Sequence, residues 1–133
     1  MTPDDPRDAF SRNPFMQLLG VRREFSHAGR ARLVVDARRE LTNPIQAMHG
    51  GVVATLVDVV MASAAVSHVD FSRTAVTLNL NTSYLNPGHG TLTADGEVIH
   101  ADDDVVQCRA FVCDERGRTV ARATGSFRYL EHR

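Results

Sequence analysis

The residue types best suited to chemistry lie within one apolar segment, residues 50–67, and just before it. Asp58 is the only charged residue of that segment. Small residues accompany it at helical spacing: Gly51, Ala54, Thr55, Ala62 and Ala65. A carboxylate in apolar surroundings is costly unless it is hydrogen-bonded, paired with a cation or shifted in pKa. Asp58 is therefore either a structural residue paired with an arginine or a catalytic carboxylate, and the helix alone does not distinguish them.

The segment opens with His49-Gly50-Gly51. Free N–H groups at a helix start stabilise an oxygen that gains negative charge, and glycine lets a substrate approach the backbone closely. The same glycines also fit a tight junction between a loop and a helix. His49 has no acidic partner nearby in the sequence, so we interpret it as a packing or hydrogen-bonding residue rather than a base.

Metal and redox chemistry have little support in the sequence. Four further histidines lie at predicted turns and strand ends, without the His-x-x-x-His spacing of a metal site: His27, His68, His89 and His100. Cys108 and Cys113 are five positions apart in a predicted strand, so their side chains point to opposite faces and do not form a disulfide. We expect no metal, no cofactor and a reducing, cytoplasmic compartment.

The bulk composition limits the remaining possibilities. A chain of 133 residues with 43% hydrophobic and 23% charged residues is one globular domain. Its formal net charge of −1 gives no electrostatic reason to bind nucleic acid. All 15 basic residues are arginines, which excludes a Schiff-base lysine and a Walker-type phosphate loop. We expect residues 1–12 to be frayed or disordered, no signal peptide, and a single domain over residues 13–133.

Hydrophobic periodicity predicts a short helix at 14–19, the long helix at 50–67 and six strands. The strands are expected at 21–26, 30–37, 74–85, 91–100, 104–113 and 118–130. The long helix is apolar on nearly every side, which predicts burial all round, and it is too short and too rich in Ala and Ser for a membrane span. Short loops make the later strands antiparallel neighbours. The economical α+β architecture is a curved antiparallel sheet wrapped around one helix.

Strand 74–85 alternates cleanly between apolar and polar residues. This predicts one face with Val76, Leu78, Leu80 and Tyr84, and the opposite face with Thr77, Asn79, Asn81 and Ser83. The acidic turns at 102–104 and 114–117 are expected to be solvated hairpin connections.

One constellation carries a family resemblance. Asn43, His49-Gly50-Gly51, Asp58 and the segment 81–87 (Asn-Thr-Ser-Tyr-Leu-Asn-Pro) occur in that order. The chain resembles the hotdog-fold thioesterases from about residue 13 to 130, most closely the phenylacetate-degradation (PaaI-like) branch. The resemblance implies hydrolysis of an aromatic or a short- or medium-chain acyl-coenzyme A thioester.

The resemblance also implies a role for each matching residue. Asp58 matches the catalytic carboxylate, which acts as nucleophile or as general base on water. Asn43 matches a loop amide that places the thioester or the water, and Gly50 matches the residue whose N–H polarises the thioester carbonyl. Thr77 falls where related enzymes carry a hydroxyl near the carboxylate. We assign substrate contacts to His49, Gly51 and Asn81, although Thr77 and Asn81 also fit ordinary exposed strand positions.

The resemblance further implies a homodimer or a dimer of dimers, with Asp58 of one subunit facing Asn43 and Gly50 of the other. No membrane partner is expected. Two other classes stay open at this point. One is a non-catalytic hotdog protein that binds acyl-coenzyme A, against which Asp58 and Asn43 argue. The other is a structural oligomerisation module, which does not explain the carboxylate in the helix.

Overall fold

The computed structural model describes residues 5–132. The helices are α1 (Pro14–Leu19) and α2 (Gly50–His68), with 3₁₀ turns at Pro6–Asp8 and Arg39–Leu41. The strands are β1 (Arg22–His27), β2 (Arg30–Val35), β3 (Thr74–Tyr84), β4 (Leu92–Ala101), β5 (Val105–Cys113) and β6 (Thr119–Leu130). They form one antiparallel sheet in the order β1-β2-β4-β5-β6-β3, which leaves β1 and β3 at the edges. The predicted sheet around one long helix is confirmed.

Helix α2 fills the concave side of this sheet. It begins where the His49 Nδ1 accepts a hydrogen bond from the Gly51 N–H at 3.0 Å, which satisfies one of the free donors of the first turn. One side of the helix is completely buried against the strands by Leu56, Val57 and Val60. The expectation that this helix is too short and too rich in Ala and Ser for a membrane span is wrong on both grounds, because its 19 residues and mean hydropathy of 1.8 would suit one. Burial of 56% of this stretch inside the domain is instead typical of the core helix of a globular protein.

The opposite side of α2 is not covered by residues 5–132. Asp58, Val59 and Ala62 remain partly exposed there, and Gly51 is exposed. The prediction of burial all round is therefore wrong for the single chain, because the sheet wraps only one side of the helix. Ala65 turns away from this open side: it is fully buried, and its carbonyl accepts a hydrogen bond from the Tyr129 hydroxyl at 2.7 Å.

Strand β3 departs from the predicted alternation at a bulge. Thr77 pairs with Phe127, but the next pair along the ladder is Asn79 with Ser126, so Leu78 is the extra residue. Phe127 is buried against the helix, and Thr77 lies on the same inner face of the sheet. The predicted placement of Thr77 with Asn79 and Asn81 on one face is therefore wrong, because the bulge shifts the period by one residue.

Residues 5–12 of the predicted frayed segment are folded against the domain, whereas residues 1–4 lie outside the described residues. Asp5 caps the first 3₁₀ turn by accepting from the Arg7 N–H at 2.9 Å. The Arg7 carbonyl in turn accepts from the Arg23 guanidinium at 2.6 Å, and Phe10 packs against the hydrophobic core. The packing of Phe10 and the hydrogen bond to the Arg7 carbonyl thus order a segment whose composition is typical of a frayed end.

The expectation that the turn between β5 and β6 is solvated is wrong for Asp114, which is only 6% exposed. Its carboxylate accepts hydrogen bonds from the backbone N–H groups of Arg116, Arg118 and His89. Burial alone would raise the pKa of Asp114, but the three N–H donors outweigh it and hold that pKa below its usual value. The contact to His89 joins this turn to the loop that follows β3.

Candidate active site

The Asp58 carboxylate is held by the Thr77 hydroxyl, which donates a hydrogen bond to Oδ1 at 2.7 Å. The helix supplies the first residue and the inner face of β3 supplies the second, which reaches the helix because of the bulge at Leu78. Thr55, one turn earlier on α2, donates its own hydroxyl back to the Gly51 carbonyl at 2.9 Å. The Thr55 hydroxyl therefore does not donate to the Asp58 carboxylate.

No arginine pairs with Asp58 in the part of the chain that the structure describes; the seven ion pairs found there involve other carboxylates. The structural interpretation of Asp58 needs such a partner. The carboxylate instead has one neutral donor and a partly open surface. One oxygen thus lacks a protein partner within residues 5–132 and faces a side of the helix built from small residues.

The start of α2 supplies a free N–H donor at Gly50. This group has no hydrogen-bond acceptor among the described residues, whereas the Gly51 N–H is already bound to His49. The unoccupied donor lies at the positive end of a long helix, where it favours an oxygen that gains negative charge.

Neither glycine is required by a tight junction. A Cβ at Gly50 would meet nothing closer than Tyr84 Cε1 at 3.8 Å, and one at Gly51 would meet His49 Nδ1 at 3.4 Å. Neither residue has a positive φ. Because the chain's own packing tolerates a Cβ at Gly50, the absence of a side chain is better explained by something that approaches from outside.

Asn43 organises the loop that precedes the helix. Its Oδ1 accepts from the N–H groups of Ile45 and Ala47, both at 3.1 Å. This arrangement supports Gln46 in a left-handed conformation, with φ of 64°. The Asn43 side-chain NH₂ has no acceptor among residues 5–132, so it keeps two donors for a ligand.

Asn43 and Gly50 line one cavity of about 260 Å³. We call it the loop cavity. Residues 84–88 form another part of its wall. The sequence analysis included residues 81–87 in the family constellation but assigned no site role to residues 84–88, although the turn signal of Asn86-Pro87-Gly88 marks where the chain reverses. The Gly88 carbonyl accepts from the Met48 N–H at 2.8 Å and ties the two loops together.

The predicted site residues thus form two groups within one chain. Asp58 and Thr77 are in contact, and Asn43 and Gly50 share the loop cavity. Gly50 and Asp58 are eight residues apart on α2, or about 12 Å along the helix axis. Within one chain, an oxygen held by the Gly50 N–H is therefore too far for attack directed by Asp58.

The other assigned contacts differ in their placement. The ring of His49 is committed to capping the helix through Nδ1. Asn81 pairs with the exposed Thr124 on the outer face of the sheet, away from the helix, so the structure does not bring it together with Asp58. Cys108 lies buried beneath α2, and burial raises the pKa of its thiol to about 12, which leaves it protonated and unreactive.

One helix capped by His49, wrapped by a six-stranded antiparallel sheet and carrying a carboxylate on its open side, defines a hotdog-fold protein of the thioesterase type. The family model described as "Thioesterase superfamily" matches residues 46–121. The match covers the start of α2, Asp58 and Thr77. The chain belongs to the thioesterase superfamily.

Individual relatives agree with this assignment. A Halobacterium salinarum protein named, provisionally, as an esterase is 34% identical over 124 residues, covering 85% of this chain and 82% of the relative. A thioesterase family protein from Silicibacter pomeroyi is 27% identical, with a TM-score of 0.88 over 96% of this chain and 97% of that one. The Escherichia coli PaaI protein from the phenylacetic acid degradation operon shares the fold, with a TM-score of 0.86 over 95% of this chain and 91% of its own, at 23% identity.

Proposed function

We propose that this thioesterase-superfamily protein hydrolyses an aromatic or a short- or medium-chain acyl-coenzyme A thioester to the free acid and coenzyme A. The observation that carries the proposal is the Asp58 carboxylate. It is oriented by the Thr77 hydroxyl at 2.7 Å, has no cationic partner in the described chain, and lies on the open side of α2. A carboxylate in this position suits an activated oxygen nucleophile better than a structural ion pair.

The reaction can be written through either role of Asp58. As a general base, the carboxylate removes a proton from water while the water oxygen attacks the thioester carbonyl. The resulting oxyanion is stabilised by the Gly50 N–H and the Asn43 amide, and the carbon–sulfur bond then breaks. The proton passes from Asp58 to the departing thiolate. As a nucleophile, Asp58 attacks the carbonyl itself, the carbon–sulfur bond breaks, and coenzyme A leaves as the thiolate, which gives a mixed anhydride. Water then hydrolyses the anhydride to the free acid and the Asp58 carboxylate, and the released proton passes to the thiolate.

We also propose a homodimer whose active sites each combine two chains. The separation of about 12 Å between Gly50 and Asp58 along α2 supports this arrangement, because it leaves each chain with two incomplete halves. Strand β3 is an unpaired edge with exposed Val76, Leu78 and Leu80, which two-fold pairing would cover. A dimer of dimers would extend the same assembly.

A panel of acyl-coenzyme A esters, followed by release of free thiol, tests the proposed activity. We expect steady turnover of at least one aromatic or medium-chain ester. Binding measured by calorimetry without turnover would favour the non-catalytic acyl-coenzyme A binder instead. Neither binding nor turnover would leave only a structural module.

Mixing two inactive variants tests the shared site. Asn43→Ala and Asp58→Ala are co-refolded in equal amounts, so that random pairing makes half of the dimers mixed. Each mixed dimer then holds one doubly damaged site and one intact site, and about a quarter of the wild-type activity should return. No recovery, with mixed dimers verified by native mass spectrometry, would place both residues of a site in one chain.

A further inference from the structure

A second cavity is lined by residues that flank the Asp58–Thr77 pair along the chain, Val59 on α2 and Ala75 on β3. It has a volume of about 420 Å³ and lies along the open side of α2. We call it the Arg23 cavity; its walls include Phe10, Arg23, Val59, Ala62, Phe71 and Ala75. Ala62 follows Asp58 by one helical turn, about 6 Å, and Ala75 precedes Thr77 by two residues on the inner face of β3. A thioester carbonyl at Asp58 could therefore direct its acyl group straight into this space.

The walls of the Arg23 cavity combine aromatic and aliphatic residues with two arginines, Arg12 and Arg23, and with four other polar residues: Asn13, Ser63, Thr74 and His132. Arg23 pairs with Leu33 across the β1–β2 ladder, and Leu33 is completely buried on the concave face. The Arg23 side chain thus lies on the face where an apolar residue is expected. Its guanidinium carbon lies 5.1 Å from the centroid of the Phe10 ring and 5.8 Å from that of Phe71.

This cation has no carboxylate partner in the described residues. Its hydrogen bond to protein goes to the neutral carbonyl of Arg7, at 2.6 Å. The acid on the nearest turn, Asp8, is already paired with Arg12 at 3.0 Å. Burial lowers the pKa of Arg23 from its usual value, and a guanidinium nevertheless stays protonated at neutral pH. Several donors of a partly desolvated charge are thus free for a ligand.

The Phe71 wall belongs to a turn in which two residues have strained backbone conformations. Asp70 and Phe71, which follow α2, both have left-handed conformations, with φ of 53° and 62°. Such conformations in residues other than glycine are costly and cluster at ligand sites. The Phe71 N–H is bonded to the Val66 carbonyl at 3.0 Å, which fixes the turn beside the cavity.

From these contacts we infer that the Arg23 cavity receives the acyl group of the substrate and selects an aromatic acyl group with a carboxylate at its far end. This inference rests on the proposed function, since it assigns the acyl half of that substrate. The volume exceeds the cavity of about 150 Å³ that holds benzene, so a substituted ring fits. Phe10 and Phe71 would contact the ring, and the fork of Arg23 would bind the carboxylate.

Binding of two matched analogues tests the inference without depending on turnover. The probes are two non-hydrolysable thioether analogues of an acyl-coenzyme A. One carries a 4-carboxyphenylacetyl group. The other carries the corresponding carboxamide, which is nearly isosteric but neutral. By calorimetry, wild type should bind the carboxylate at least tenfold more tightly. In Arg23→Gln this preference should fall to within twofold, whereas Arg23→Lys should retain part of it. Arg116→Gln, in the exposed turn between β5 and β6, is the matched control and should behave as wild type.

A second variant protects the test against misfolding of Arg23→Gln. Ala62→Leu adds volume to the cavity wall while Arg23 itself is retained, and it should weaken binding of both analogues at least tenfold. Equal affinity of wild type for the two analogues, or a preference that survives Arg23→Gln, would overturn the inference and leave hydrolysis of other esters standing. Failure of both analogues to bind would overturn it as well, and the ester panel would then decide the proposed function separately.

Discussion

The two sides of helix α2 differ both in the residues that they carry and in their surroundings. Leu56, Val57 and Val60 on one side are completely buried under the sheet, whereas Asp58 and Ala62 on the other remain partly exposed. The buried side stabilises the fold through the area that it removes from water. The open side combines small residues and a carboxylate with the Arg23 cavity, whereas the loop cavity lies at the start of the helix. Opposite faces of one helix thus serve different roles: one face stabilises the fold, and the other carries the candidate site.

The largest expected effect comes from shortening a side chain on the buried side of α2. Leu56→Ala removes a side chain with no exposed surface and should lower the free energy of unfolding by about 2 to 5 kcal/mol. Chemical denaturation measures the loss. Val59→Ala, one turn along on the open side, is the matched variant and should cost about 1 kcal/mol or less. Equal losses would mean that the open side is covered in solution as fully as the buried one.

Replacing the carboxylate on the open side of α2 should affect the catalytic rate rather than the stability of the fold. Asp58→Asn keeps an acceptor for Thr77 but removes the charge, so kcat should fall by roughly a hundredfold or more, or about 2.7 kcal/mol in the activation barrier. The free energy of unfolding should change by less than about 0.5 kcal/mol. Steady-state kinetics and denaturation are measured on the same preparation, with the exposed Asp103→Asn as control. Activity within a few-fold of wild type would restore a structural role for Asp58.

The smallest expected effect concerns the hydroxyl that orients the carboxylate. Thr77→Ser keeps the donor and should retain nearly full activity, whereas Thr77→Val keeps the shape but loses the hydrogen bond. We expect kcat of the valine variant to fall by roughly three- to tenfold, which is the order of one hydrogen bond. A valine variant as active as wild type would show that Asp58 does not depend on Thr77.

Local sequence signals predicted most of the fold. The bounds of α1 and α2 agree with prediction to within one residue, because Pro14, Gly20 and the His49 cap act on their immediate neighbours. The strands agree to within about two residues, since alternation and turn chemistry are also local. The same signals pointed to Asp58, because a lone charge in an apolar helix is conspicuous whatever surrounds it.

Tertiary contacts decided which way the site residues face. The bulge at Leu78 moves Thr77 to the inner face of β3, and nothing in the alternating pattern marks it, because a bulge is a property of the pairing of two strands. Asp114 likewise is buried where the loop after β3 reaches its turn, and the His89 N–H of that loop donates to it.

The sequence by itself thus determined the helix, the strands and the candidate carboxylate, all of which depend on neighbours along the chain. The tertiary structure alone decided that Asp58 meets Thr77, that Gly50 and Asn43 share a separate cavity, and that Arg23 lies on the concave face. Each of these depends on strand register and loop closure between distant segments, which local propensity does not encode.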